Sequence, residues 1–223
     1  MNFPAIALKN FERLKGNSFF GGVFNSVSKL LKNIIDPSTK SRIFHQQVDE
    51  YLGKVLDNPV AKAHLSCKKG CSACCHTQVS VTSFEAQQMA KLIKNKKIPI
   101  NSEKLLIQAQ AQNDSQAWYR LSYANRGCVF LDQNNQCSIY EDRPAVCRTN
   151  YVFNPPDQCS TVEGKERSLQ MLKTEMADMA VMAGFFASEG NGTLPFMLWK
   201  TLLEIHKRPH IVHKNSKDND YNK

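Results

Sequence analysis

The chain has 223 residues, 42% of them hydrophobic, and a formal net charge of +9. That length supports one domain with its own hydrophobic core, so the fold does not depend on covalent staples. The longest apolar run, 179–188, is short of the roughly 18–20 residues of a membrane span. The first ten residues also lack the apolar core and cleavage site of a secretory signal. We therefore expect a cytoplasmic protein without a transmembrane span.

Apolar residues recur at helical spacing from the start. Ile6, Leu8, Phe11 and Leu14 predict a short helix, and the stretch 19–22, with Gly21 and Gly22, is expected to break it. Val23, Val27, Leu30, Leu31, Ile34 and Ile35 predict a basic amphipathic helix that Asp36 and Pro37 stop. Such a helix packs on its own domain or docks on a protein partner or membrane. A second helical face follows through Phe44, Val48, Leu52 and Val55, then a short turn of helix after Asn58-Pro59.

Residues 78–82 alternate polar and apolar and read as a strand. Thr82 and Glu85 then match a capping box that opens a helix to about Lys94. Ser102 is expected to cap another helix. Residues 127–131 and 137–140 read as the two strands of a hairpin around a polar turn. Pro144 suits the start of a helix that contains Cys147. From Leu169 to Phe186 the pattern predicts one long amphipathic helix, with its methionines as core filler. Gly190 to Gly192 is expected to turn, and Thr193 to cap a last helix.

Eight cysteines punctuate this pattern: Cys67, Cys71, Cys74 and Cys75, then Cys128, Cys137, Cys147 and Cys159. Clustered cysteines in a cytosolic chain point to metal or redox chemistry rather than disulfides. Soft thiolates select zinc, copper(I) or iron–sulfur clusters. Adjacent side chains diverge, so Cys74 and Cys75 more easily serve two neighbouring centres than one ion, or one ligates while the other packs or reacts. Eight thiols allow two four-cysteine sites, a dinuclear site, or one cluster with spare thiols. His76 reads as an outer neighbour of the site rather than a ligand. Arg143 and Arg148, beside Cys147, either neutralise thiolates or pair with acids such as Asp142. Residues 61–160 carry 12 basic and 7 acidic groups, the largest local excess. A net-negative thiolate–metal site would draw on that excess, and no nucleic-acid-binding motif accompanies it.

The run Cys67-x-x-x-Cys71-x-x-Cys74-Cys75, then Cys128-x-Phe130-Leu131, Cys137-Ser138-Ile139-Tyr140-x-x-Arg143-Pro144-x-x-Cys147-Arg148 and Cys159, resembles the YkgJ family, described as a zinc- or iron-chelating CxxCxxCC domain. The resemblance covers about residues 64–160 and departs from the family name by one extra residue between Cys67 and Cys71. It implies a cysteine-rich chelating domain that holds zinc or iron, an iron–sulfur cluster included. It also suggests a distant relation to flagellin lysine methylases, and so a second function class, a metal-dependent protein-modifying enzyme. The expected fold is mainly α with a small β-hairpin. Residues 1–45 form an amphipathic N-terminal extension, 46–160 the chelating domain, 161–208 a helical segment packed on it, and 209–223 a flexible tail. A metal ion is the expected partner, with all eight cysteines as its ligand set, and the N-terminal helix offers a docking face for a protein.

Overall fold

Short polar side chains set where the helices begin. The structure, a computed structural model, describes residues 2–67, 70–164 and 168–207, so the tail expected at 209–223 lies outside the described residues. After α1 (Ala5–Leu14), Asn17 starts α2 (Ser18–Lys32) by accepting the Phe19 and Phe20 amides at 3.0 and 3.3 Å. Gly21 and Gly22 therefore lie inside α2 and do not break a helix. The reason is a close approach: a Cβ on Gly21 would come within 2.9 Å of the Lys15 carbonyl oxygen. Asp36 then accepts the Thr39 amide at 2.7 Å, and Pro37 opens α3 (Pro37–Leu56). Asn58 caps α4 (Pro59–His64) in the same way.

The Thr82–Glu85 capping box forms and starts α5 (Ser83–Lys96). Asn101, one residue before the expected Ser102, caps α6 (Ser102–Gln110). The shorter helices α7 (Ser115–Arg120), α8 (Tyr123–Arg126) and α9 (Ala145–Thr149) follow, then α10 (Glu175–Phe186) and α11 (Leu194–Lys207).

Two hydrophobic cores organise these elements. The first surrounds α10, whose Ala177, Met179, Ala180, Val181, Met182 and Ala183 are all 0% exposed. That helix is buried around its circumference, so it is not the amphipathic helix its sequence suggested. α1, α2 and α3 pack against it, and α2 contributes Val23, Val27 and Leu31. Val23, Val27 and Leu31 of the apolar stripe that offered a docking face are thus buried within the chain, while Leu30 and Ile35 stay exposed. Gly184 is the tightest point: a Cβ there would lie 2.2 Å from the Phe44 ring. The second core joins α5, α6 and α11 with Val129, Phe130 and Ile139.

The fold is mainly helical with one two-stranded antiparallel pairing, but the strands differ from those expected. β1 (Ser80–Thr82) pairs with β2 (Asn191–Thr193) in the register Val81↔Gly192. Residues 191–193 therefore pair as a strand rather than turning, and Thr193 stands directly before α11. β1 needs a partner for its backbone groups, and Gly192 lets the chains meet beside Met197, 3.1 Å from where a Cβ would stand. Around residues 127–140 the hairpin contracts to a single antiparallel bridge, Leu131↔Cys137. Asp132 closes that loop early, accepting the Asn134 and Gln136 amides at 2.8 Å each. Finally, α10 begins only at Glu175. The preceding residues stay extended, bridging Val152↔Met171, with the Phe153 and Leu172 amides donating to Gln170 and Tyr151 at 2.9 Å. The loop between Cys147 and Cys159 gains backbone partners that a longer helix would have withheld.

Candidate metal centre

Each cysteine is placed by a short element tied to another part of the chain. Ser66 anchors the first, its amide and hydroxyl donating to the Val152 and Phe153 carbonyls at 3.1 and 3.2 Å. Cys67 follows, its sulfur accepting the Val152 amide at 3.4 Å and approaching the Asn150 carbonyl at 3.8 Å. Gly70 takes φ +91°, a conformation that turns the chain toward Cys71.

Cys74 and Cys75 share a one-turn 3-10 helix, Ala73–His76, closed by the Thr77 amide and hydroxyl on the Cys74 carbonyl at 3.2 and 2.8 Å. The Cys75 carbonyl then accepts the Cys128 amide at 2.8 Å, which joins the two cysteine sets through the backbone. Gln108 steadies the approach to Cys128 by donating to the Asn125 and Gly127 carbonyls at 2.6 and 2.7 Å. Cys137 lies on the one-bridge hairpin, Cys147 within α9, and Cys159 at the end of a 3-10 turn, Pro156–Cys159, that packs against the turn of Cys74 and Cys75.

A buried polar network holds α9, and with it Cys147. Glu85 Oε2 accepts the Thr82 amide and hydroxyl, both at 2.9 Å. Its Oε1 accepts the Ala145 amide at 2.8 Å and pairs with His45 Nε2 at 2.9 Å. Burial alone would raise the Glu85 carboxyl, but the His45 hydrogen bond and charge, with the Thr82 and Ala145 amides, hold it below its ordinary value. Arg148 continues the network: Nη1 pairs with Asp49 at 2.5 Å, Nε donates to the Arg143 carbonyl at 2.9 Å, and Nη2 reaches the Glu141 carbonyl. The two arginines therefore divide the readings offered by the sequence. Arg148 pairs with an acid, Asp49 rather than Asp142. Arg143 lies over the Tyr140 ring at 4.0 Å and lines the cavity of the cysteines.

All eight cysteines are free thiols, and all eight line one cavity of about 880 Å³. The described side chains are gathered around this space without closing on it: no group of three or more His, Cys, Asp or Glu among the described residues is drawn together as a metal-binding cluster. Burial pushes the thiols of Cys67, Cys137, Cys147 and Cys159 up, and Cys128 up to about 11. Cys74 is the exception. A hydrogen bond from Cys75 lowers it, with Asn150 and the Arg143 charge also favouring the thiolate, and Cys75 is raised in turn. Cys74 is also central, its charge felt by Cys67, Cys75, Cys128, Cys137, Cys147 and Cys159.

His76 is not on the cavity wall; its ring stacks on Tyr123 at 4.0 Å. Two charged residues on that wall were not anticipated. Arg126 is 1% exposed and donates to Thr161 Oγ1 and its carbonyl at 3.0 and 2.6 Å. Asp178 is 2% exposed on α10. An acid inside an otherwise apolar run was the signal for Asp178; nothing local marks Arg126 as buried.

Among known families, the model for CxxCxxCC, "Putative zinc- or iron-chelating domain", matches residues 66–167. No curated protein and no solved structure matches the chain.

Proposed function

We propose, from the match of residues 66–167 to the CxxCxxCC family model, that the chain is a metal-binding protein chelating zinc or iron. The ligands are the thiolates of Cys67, Cys71, Cys74, Cys75, Cys128, Cys137, Cys147 and Cys159. The observation that carries this reading is the gathering of all eight, from separate segments, on one cavity. The donor set fits soft or borderline metals. Eight thiols exceed the four of one tetrahedral ion, so an iron–sulfur cluster or a second ion falls within the proposal.

A bound metal supplies the positive charge that keeps buried thiols ionised. In the chain itself, Arg143 offers a fixed cation beside Cys147, and the lowered thiol of Cys74 offers the readiest first donor. The raised thiols must lose protons on loading. Metal affinity therefore rises with pH, and uptake releases acid into weakly buffered solution. Eight free thiols also suit a reducing, cytoplasmic setting.

Protein purified without oxygen, assayed for zinc, iron and acid-labile sulfide and by visible absorption, tests the proposal. Stoichiometric colourless zinc supports ion sites; iron with sulfide and colour supports a cluster. A folded, colourless, metal-free protein overturns it.

A further inference from the structure

The cavity is larger than a metal site requires. Its volume of about 880 Å³ falls within the range of organic-ligand pockets, about 300–1,000 Å³. Beyond the cysteines, α10 contributes Asp178 and Val181, with Thr174 just before its first residue, and the apolar side chains of Phe3 and Leu172 share the wall.

Asp178 is the acid on this wall, and among the described residues it has no counter-ion. Asn10 Nδ2 at 2.7 Å and Thr174 Oγ1 at 3.2 Å both donate to Oδ2. Among the described residues Oδ1 has no hydrogen-bond partner, and no cation forms a salt bridge with the carboxyl. The neighbouring charge is Glu175, of like sign, itself paired with Arg13 at 2.5 Å. Burial accordingly pushes Asp178 up to about 6, against the two hydrogen bonds. A buried carboxyl without a counter-ion is costly. The scaffold does not require it, because an asparagine would accept the same two bonds. Arg126 differs. Thr161 takes two of its nitrogens and the Tyr119 and Tyr123 rings flank it at 5.2 and 5.4 Å, while its buried Nε has no hydrogen-bond partner among the described residues.

We infer that the cavity binds a small organic ammonium ion, whose N–H donates to Asp178 Oδ1 and whose short apolar chain packs against Phe3, Leu172 and Val181. The inference stands on the α10 wall and does not depend on the chelation reading.

Calorimetric titration of n-butylammonium into the full chain, metal-free and zinc-loaded, tests it. Saturable one-site binding is expected, weakened about tenfold or more in Asp178→Asn. 1-Butanol, of the same chain length but uncharged, binds wild type and variant alike, which also reports that the variant's pocket is formed. On the unmodified protein the expected order is butylammonium, then butanol, then butyrate. Absence of saturable butylammonium binding, equal affinity in wild type and Asp178→Asn, or preference for butyrate overturns the inference. Zinc content measured in parallel reports on the cysteines alone and is unchanged in Asp178→Asn.

Discussion

The helices around α10 and the cysteine region from residue 66 to 164 reach order by different means. In the helical body, apolar side chains complete the packing: six residues of α10 are wholly buried, and Phe44 fills the space Gly184 leaves. In the cysteine region, apart from α5, α6 and the second core they join, the segments that carry the cysteines are short and are tied together by backbone and side-chain hydrogen bonds. A core built by burial carries its stability in its own atoms. A region of eight thiols around open space draws on a ligand for the remainder. Glu85 is the joint, since its one carboxylate touches α3, α5 and the start of α9.

The largest effect should separate the two regions. Stripping metal with a chelator under reducing conditions should remove on the order of 10 kcal/mol from the cysteine region, the scale of structural zinc sites. Hydrogen exchange should then show lost protection in 66–82 and 127–160, with α10 amides still slow. Equal loss in α10 would show one cooperative unit. Next, Glu85→Ala leaves His45 and two amides without their buried acceptor. We expect about 3–5 kcal/mol of destabilisation, lowering the denaturant midpoint of both regions together.

The same carboxylate sets an acid limit. Its folded pKa lies below the ordinary 4.5. Its contribution is therefore present above that value and is lost as pH falls through the folded pKa. Wild type should lose stability across that window, while Glu85→Ala changes less, as an acid titration followed by circular dichroism would show.

Gly184→Ala confines the damage to the helical body. The added methyl meets Phe44, costing about 1–3 kcal/mol in thermal or chemical denaturation with metal stoichiometry unchanged. Smallest and opposite in location, Arg143→Gln should weaken metal binding about tenfold in chelator competition and leave the α10 core intact.

The same division governs what could be read from sequence. The capping box at Thr82 and Glu85, and the short helix holding Cys147, are local patterns, and both formed. The gathering of the cysteines was legible from their clustering. What escaped was set by distant partners. Asn191 to Thr193 is a strand because β1 lies beside it, and residues 169–172 are extended because residues 151–153 need backbone bonds. Gly21 reads as a helix breaker until the Lys15 carbonyl is seen against it. Arg126 and Asp178 look like surface charges until tertiary packing buries them.

The carboxylate of Glu85 has a consequence for anyone redesigning this chain. Helix-capping rules treat glutamate and glutamine as interchangeable at this position, so a survey of local preference would call Glu85→Gln silent. Here both oxygens face donors: the Thr82 amide and hydroxyl on one side, the Ala145 amide on the other. A glutamine must turn its own NH₂ toward one of those sides, setting donor against donor in a dry interior. The position obeys a short-range grammar in which the two residues are synonyms and a long-range one in which they are not.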